Sequence, residues 1–435
     1  MKDCSKTCLL GALLVVSACL VDRLVAANGP RTTAPSAQRD HTLGYVVVTQ
    51  HGPRDGGDFG RHTPGTKTAG IQEAIDHAVA VGKNVFITGT QKKAARDVYD
   101  IAETIRVPPT QGFRIDGGHY VINYGKTRGD ALCIDSCMDA SYRFGLIVSR
   151  SKDAVVRLKP AKPVPIDNML VITDSTFEFS SIVGGGVFDL KTLKITGAPR
   201  GGGIVLDGST GPIVYNRIYA NAVLLCDRGV YLTTGGTGHS VSCNWISVLH
   251  NHQCNTHLQL GGPGDRPDRV SLNRIVMTID SEGIQGSVGA SISGQRNLLD
   301  LDVIRSSPGN DVVFEAGAAD NIVTSLHLPH GVTNHAATPT NRVVSVGRVG
   351  GVGFGVTTPD VPRSGDEVVN RSPRPVTVII LTPGGVSSWT LVDAKGVEQR
   401  IPSGLTAGQC IRLSPGERIR MTYTQPPTWR WKADG

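Results

Sequence analysis

Hydrophobic positions follow a helical period in one short stretch and a strand period over most of the rest of the chain. The first stretch predicts an amphipathic helix from about Thr68 to Val81, ended by Gly82. Its apolar face consists of Ile71, Ala74, Ile75, Ala78 and Val79. Later segments alternate apolar and polar residues over four to six positions and are separated by Gly and Asn. That alternation predicts short β-strands joined by tight turns.

A repeat of Asn residues, each at a fixed offset before apolar residues, orders these strands. Successive members are 28, 29, 24, 24 and 20 residues apart. Coils of this length suit a parallel β-helix with three short strands per coil, in which stacked Asn side chains hydrogen-bond along a shared left-handed turn. The repeat consists of Asn216, Asn244, Asn273, Asn297, Asn321 and Asn341.

The repeat also assigns the second strand of each coil, which we expect at 203–207, 229–232, 257–260 and 283–286. Alternation then predicts which side chains point into the coil and which point outward. The inward set is Ile204, Leu206, Val230, Leu232, Leu258, Leu260 and Ile284, and the outward set is Val205, Asp207, Tyr231, Gln259 and Gln285. The same register stacks Cys226 over Cys254, either as a disulfide or as a reduced apolar pair.

Both ends of the chain differ from this pattern. Residues 1–27 have Lys2 and Lys6 before an apolar run and small residues near Ala27, which predicts a signal peptide and an exported, secreted or periplasmic protein. A competing lipoprotein-like cleavage would instead anchor the chain through Cys19. Alternating strands after a Pro- and Arg-rich stretch predict a small C-terminal β domain at 361–435, which leaves 28–360 for the β-helix and its cap.

Composition and net charge limit the classes of partner that we expect. The 435 residues include 53 Gly and only 5% aromatics, which favours many turns and one elongated repetitive domain. The net charge of +7 falls to about +6 when three basic and two acidic residues leave with residues 1–27. This mild charge, with no basic run interleaved with aromatics, argues against nucleic acid as a partner. After the signal segment, no stretch of the mature chain is long and apolar enough to span a bilayer.

Two segments carry a resemblance to a known family. GIQEAIDHAVAVGKNVFITG at 70–89 and YDIAETIRVPPTQGFRIDGG at 99–118 resemble the entry module of the pectate-lyase-like superfamily, which includes many phage tailspikes and polysaccharide-degrading enzymes. The resemblance implies an all-β, right-handed parallel β-helix with an N-terminal capping α-helix. It also implies a polysaccharide partner lying across one sheet. The C-terminal strands resemble the tail modules of trimeric phage-type β-helices, so a homotrimer is considered.

On this resemblance, a polysaccharide lyase acting on a uronate polymer is the leading hypothesis. Such an enzyme needs a cation for the carboxylate and a group that transfers protons. Arg228 would bind the carboxylate, and His257 or Tyr231 would transfer protons. Candidate substrate-binding residues are Asp207, Asp227, His252, Gln259, Arg266 and Gln285.

Three alternatives stay open. A glycoside hydrolase or epimerase would use paired carboxylates, for which Glu282 is a further catalytic candidate, with Asp207, Asp227 and Asp280 as the other acids. A non-catalytic glycan-binding or spike-like protein would need none of these roles.

The cluster of His250, His252, Cys254 and His257 has ligands that suit zinc, but its spacing matches no zinc signature, so we assign no metal ligand. The cofactor is unassigned, with calcium as the candidate considered.

Overall fold

The computed structural model describes residues 44–89, 97–189, 194–236, 238–305, 311–338, 340–345, 356–372 and 375–433, without the side chains of 187–189, 194–196, 305, 345 and 433. Three long parallel sheets built from successive coils establish a parallel β-helix. The expected fold class, an all-β right-handed parallel β-helix with a capping α-helix and C-terminal β-strands, is confirmed. The predicted signal segment and Cys19 lie outside the described residues.

The first sheet consists of the strands that follow the Asn positions and their equivalents in the earlier coils. Its neighbouring strands pair in parallel. The strands are Tyr45–Val48 (β1), Asn84–Ile87 (β2), Asp97–Ile101 (β3), Arg114–Gly117 (β6), Tyr120–Tyr124 (β7), Ser141–Ser149 (β10), Thr176–Gly184 (β13), Arg217–Leu224 (β18), Trp245–His252 (β21), Arg274–Asp280 (β24), Leu298–Arg305 (β26), Ile322–Ser325 (β28) and Arg342–Ser345 (β30).

The second sheet follows in each coil, and a third sheet of two-residue strands completes the coil. The second sheet consists of Ile105–Val107 (β4), Leu132–Ile134 (β8), Ala154–Leu158 (β11), Gly202–Asp207 (β16), Arg228–Thr233 (β19), Thr256–Leu260 (β22), Val288–Ile292 (β25), Val312–Phe314 (β27) and Val332–Asn334 (β29). The third consists of Thr110–Gln111 (β5), Cys137–Met138 (β9), Ile172–Thr173 (β12), Ile213–Val214 (β17), Val241–Ser242 (β20) and Val270–Ser271 (β23). A hairpin of Gly186–Asp189 (β14) and Lys194–Gly197 (β15) leaves the first sheet.

The predicted helix is present as Ile71–Val81 (α1). The helix begins three residues later than expected. Thr68 lies before its first residue, and the Thr68 hydroxyl accepts a hydrogen bond from the Gln72 N–H. Gly82 ends it in the left-handed conformation, with φ at 66°. Four of the five predicted apolar residues, Ile71, Ala74, Ile75 and Ala78, are buried, and the helix packs against β1, β2 and β4, so it covers the end of the coil. The fifth, Val79, is exposed, so the prediction is wrong for this residue. This helix is not long enough to cross a membrane, and none among the described residues is.

The asparagine repeat forms a continuous buried ladder. Each amide Nδ2 donates to the Oδ1 of the next Asn, at 3.0, 3.1, 3.0, 3.0 and 2.9 Å along the six members. The residue before each Asn up to Asn321 has a positive φ, between 56° and 60°, which is the shared left-handed turn that the spacing predicted. The ladder therefore satisfies the buried polar groups of a column of tight turns.

The register of the second strands is confirmed for three coils and wrong for the fourth. Ile204, Val230 and Leu258 pair as expected, and the six predicted inward residues from Ile204 to Leu260 are fully buried. The fourth strand, however, is β25 and not 283–286. Residues 281–287 form a longer turn, which leaves Ile284 half-buried and Gln285 exposed.

The C-terminal strands form two antiparallel sheets around a hydrophobic cluster of their own. One sheet contains Glu367–Val369 (β31), Val386–Val392 (β33), Glu398–Ile401 (β34) and Arg418–Tyr423 (β36). The other contains Val376–Thr382 (β32), Cys410–Leu413 (β35) and Thr428–Ala433 (β37). The domain boundaries at 27/28 and 360/361 stay predictions.

A substitution in the ladder tests its energetic weight. Replacing Asn297 by Ala removes the acceptor for the Asn273 N–H and the donor to the Val270 carbonyl, both buried. We expect Asn297→Ala to lower the free energy of unfolding by roughly 2–4 kcal/mol, measured by urea denaturation. Asn221→Ala, at an exposed position on β18, is the matched control and should change it by less than about 0.5 kcal/mol. Equal effects of the two substitutions would contradict a structural role for the ladder.

Candidate functional site on the second sheet

Outward side chains of the second sheet form one column, which we call the outer face. Parallel pairing places the members of the column next to each other, one per coil, at a rise of about 4.8 Å. Tyr231 lies beside Gln259, as predicted, and Gln259 lies beside Ser291, where Gln285 was expected. The column consists of Arg106, Cys133, Arg157, Val205, Tyr231, Gln259, Ser291, Val313 and Thr333.

Arg228 and Tyr231 form the best-defined pair on this face. The Arg228 guanidinium carbon lies 4.7 Å from the centre of the Tyr231 ring, a cation–π contact between residues at the start and middle of β19. The Tyr231 hydroxyl lies against Gly262, where an added Cβ would come within 2.3 Å of it. A glycine at 262 thus leaves room for the hydroxyl. The structure brings two of the four predicted catalytic residues together at an accessible position.

Asp207 takes part in a charge network at the end of β16. Its Oδ2 lies 3.2 Å from Arg157 Nη1 and 3.4 Å from Lys159 Nζ, and Arg157 also binds Asp130 through two hydrogen bonds. Burial alone would raise the pKa of Asp207, but hydrogen bonds from Ser209 and the two cations outweigh burial and hold the pKa below its usual value. Asp207 is therefore an ionised structural partner of Arg157 and poorly placed for direct contact with a ligand.

Two turns border the outer face. At one edge, Asp227 is exposed and accepts a hydrogen bond from Asn255 Nδ2 at 2.9 Å. At the other edge, Arg266 is exposed, and its guanidinium donates two hydrogen bonds to the Asp268 carboxylate. Asp265, the residue before Arg266, holds this turn in place. The Asp265 carboxylate accepts hydrogen bonds from Thr233, Thr234, Gly236 and Gly262. The sequence placed Asp265 among the polar residues expected along this face but did not show that it fixes the turn, because that role depends on four donors from two coils.

The expectation that His257 faces the outer surface is wrong. His257 is fully buried, with Nδ1 3.1 Å from Asn251 Oδ1 and Nε2 2.9 Å from Ser281 Oγ. Alternation gave it an outward direction, but its ring lies between two buried side chains, Asn251 on β21 and Ser281 in the turn of the next coil. Burial, followed by the charge of His252, lowers its pKa to about 3. A neutral, covered imidazole is not placed to exchange protons with a sugar.

The predicted histidine and cysteine cluster does not converge. Cys254 and His257 are buried, whereas His250 and His252 lie side by side with ring centres 5.2 Å apart. His252 instead meets the next coil, because β21 and β24 pair His252 with Asp280. Its Nε2 lies 4.0 Å from Asp280 Oδ2 and 3.9 Å from Glu282 Oε2. These three side chains are the described group that could hold a metal ion.

The cysteine pair lies as the register predicted. Cys226 and Cys254 are both buried, next to each other, and free. A hydrogen bond with the Cys254 thiol and then burial raise the pKa of Cys226 well above its usual value, which keeps it in the unreactive thiol form. The structure thus corresponds to the reduced alternative.

A cavity of about 600 Å³ lies on the first sheet, away from the outer face. It opens where β10 changes its partner from β6 to β7, because the two shorter strands leave a gap between them. Its polar lining includes the ion pair of Arg143 and Glu178, with 2.7 Å between Nε and Oε2. Tyr219, Asn221 and His119 complete that lining. No sequence pattern pointed to this cavity.

Titration of stability tests the burial of His257. Its lowered pKa means that the unfolded chain binds a proton below pH 6.5 while the folded protein does not, so stability falls as the pH falls toward about 3. In the wild-type protein, this difference in proton binding should lower the free energy of unfolding by about 2–3 kcal/mol between pH 7 and about pH 4.5. This pH-dependent loss of stability should be missing in His257→Gln and retained in His239→Gln, in which the substituted residue is exposed and serves as the control. Identical pH profiles for the two variants would show that His257 is accessible.

Comparison with known proteins assigns no family to this chain. No protein family model matches the chain, and no curated protein does. Among solved structures, the chain is similar to the crystal structure of the Dettilon tailspike protein, at 12% sequence identity and a TM-score of 0.30. The match covers 89% of this chain and 95% of the tailspike chain. The assignment of a parallel β-helix therefore depends on this chain's own three sheets.

Proposed function

We propose that this chain is an exported, carbohydrate-active β-helix protein of the pectate-lyase-like superfamily that cleaves a uronate polysaccharide by β-elimination. The observation that carries the proposal is the pair of Arg228 and Tyr231 on the outer face, a cation in contact with the ring of a tyrosine that also carries a hydroxyl. β-Elimination needs both kinds of group within one sugar of each other.

The chemistry assigns a role to each member of the pair. Arg228 would bind the uronate carboxylate and stabilise the negative charge that develops when the C5 proton leaves. The C5 proton passes to the Tyr231 oxygen, the C5–H electron pair forms the C4–C5 double bond, and the C4–O bond breaks with its electron pair on the glycosidic oxygen. The Tyr231 hydroxyl gives its own proton to that oxygen, so Tyr231 ends the step unchanged. Tyr231 is the proton-transfer group in reach of Arg228, since His257 is covered.

The surroundings of the pair suit an anionic polymer that runs along successive coils. Arg106 and Arg228 lie along the second sheet, and Arg157 between them is bound to Asp130 and Asp207. Gln259 and Ser291 extend the polar column beyond Tyr231. Asp227, Arg266 and the exposed Gln285 lie in the turns on either side, where they would contact the chain of sugars.

A hydrolase or epimerase is less well supported. It would need two accessible carboxylates, one on each side of the sugar. Asp280 and Glu282 are close to each other, but the Asp280 side chain is only 3% exposed, against 52% for Glu282. A sugar could reach Glu282 but not its partner.

Export and assembly complete the proposal. The signal-like segment at 1–27 supports export, with anchoring through Cys19 as the alternative. The free thiols of the described residues are compatible with either location, because most of them are buried or half-buried. A homotrimer stays a prediction, supported by the form of the C-terminal strands.

Substitution of the pair is the test. In an assay of uronate polymers followed by the ultraviolet absorbance of unsaturated products, we expect Tyr231→Phe to lower kcat by about 100-fold or more. Arg228→Gln should lower kcat/KM by a similar factor, about 100-fold. Arg217→Gln, an exposed arginine on β18 of the first sheet, is the matched control and should keep full activity.

The outcomes separate the three classes of function. Reducing ends without ultraviolet absorbance would contradict the lyase and indicate a hydrolase. Binding of a uronate polymer without turnover would indicate a non-catalytic protein. Loss of activity in Arg217→Gln equal to that in Arg228→Gln would show that the site lies elsewhere.

A further inference from the structure

Three side chains from neighbouring coils converge at the corner between the first and second sheets. We call His252, Asp280 and Glu282 the corner cluster. One nitrogen from His252 and one oxygen from each carboxylate all lie within 4.8 Å of one another. The cluster shares no residue with the Arg228 and Tyr231 pair, and its three side chains lie together whether or not the chain has the proposed lyase activity.

The fold builds the cluster through backbone register. β21 ends at His252 and β24 ends at Asp280, and parallel pairing places these two ends side by side. The Gln253 N–H donates to the Asp280 carbonyl at 2.8 Å, which holds the two corners together. The position of His252 against Asp280 is therefore fixed by the main chain and not by a flexible loop.

A second hydrogen bond orients the buried carboxylate. The Glu282 N–H donates to Asp280 Oδ1 at 3.1 Å. That contact turns Oδ2 toward His252, whose Nε2 is 4.0 Å away. Hydrogen bonds that orient a ligating carboxylate are a regular feature of metal sites in proteins.

The distances from His252 to the two carboxylates are compatible with ligands of a shared ion. At 3.9 and 4.0 Å, His252 Nε2 is too far from either carboxylate for a hydrogen bond. Two ligands of one zinc-like ion, each at about 2.0–2.2 Å, lie at most about 4.4 Å apart. Glu282 has a side chain that is 52% exposed, yet its carboxylate lies toward another carboxylate rather than away from it.

We propose that the corner cluster binds a divalent transition-metal ion of the zinc type. One imidazole and two carboxylates supply three protein ligands, which leaves a position open for water. The imidazole nitrogen favours zinc, cobalt or nickel over calcium and magnesium, which take oxygen ligands. Because the ligands come from two coils, the ion also joins the coils where the turn 281–287 lengthens.

Metal titration of the full, tag-free chain tests this proposal. After treatment with a chelator, the protein should bind one equivalent of Co²⁺ with a visible absorption band, and Zn²⁺ should displace the Co²⁺. Thermal unfolding should shift to higher temperature with Zn²⁺ but not with an equal concentration of Ca²⁺. His252→Ala should weaken Zn²⁺ binding by at least about 100-fold, and Glu282→Gln by about 10-fold or more.

His250→Ala is the matched control, because His250 lies beside His252 and is not a member of the cluster. It should keep the Zn²⁺ affinity of wild type. Circular dichroism of each metal-free variant checks that the fold is intact, and the exposed Glu282 position gives a variant that leaves packing undisturbed. Absence of Co²⁺ and Zn²⁺ binding, binding that survives His252→Ala, or equal loss in His250→Ala would overturn the proposal. None of these results depends on whether the chain cleaves a polysaccharide.

Discussion

The buried asparagine ladder is the constraint on which the rest of the structure depends. A column of left-handed turns leaves backbone N–H and C=O groups inside the protein, and each of these needs a partner. The Asn amides supply one, since each Asn donates to the next and accepts from the coil before it. Each coil from Asn216 to Asn341 therefore places an Asn at the same height, and the register of these coils follows from that requirement. In the coil before them, Ser175 takes the place of Asn: its N–H donates to Asn216 Oδ1 and its hydroxyl accepts from the Ala140 N–H.

Both proposed sites are consequences of this register. It places Arg228 and Tyr231 on the outer face of the second sheet, with Gln259 one coil further on. It also brings His252 and Asp280 to the same corner, although they are 28 residues apart in the chain. The coil thus converts a repeat in the sequence into rows of side chains on a rigid support, while the turns between the sheets vary in length and carry the charged residues.

The sequence predicted the parts of the structure that repeat, and it failed where a coil departs from the repeat. The ladder and the inward set from Ile204 to Leu260 follow directly from spacing and alternation. Three residues separate β18 from β19 and β21 from β22, whereas seven separate β24 from β25. That longer turn moved the fourth strand away from 283–286 and supplies Ser281, one of the two buried side chains that hydrogen-bond to His257. Extending the Asn register by eight residues would have placed His252 next to Ser281, and a register shift between Val248 and Asn251 moves its partner to Asp280. Glu282 follows in the lengthened turn.

The central claim is that the outer face of the second sheet holds an acidic polysaccharide. A crystal structure of the protein with a tetrasaccharide of the uronate polymer that it binds tests the claim most directly. The account predicts a sugar carboxylate within hydrogen-bonding distance of Arg228 and the sugar ring beside Tyr231. An oligosaccharide in the cavity on the first sheet, beside Tyr219 and Arg143, with the outer face empty, would contradict it.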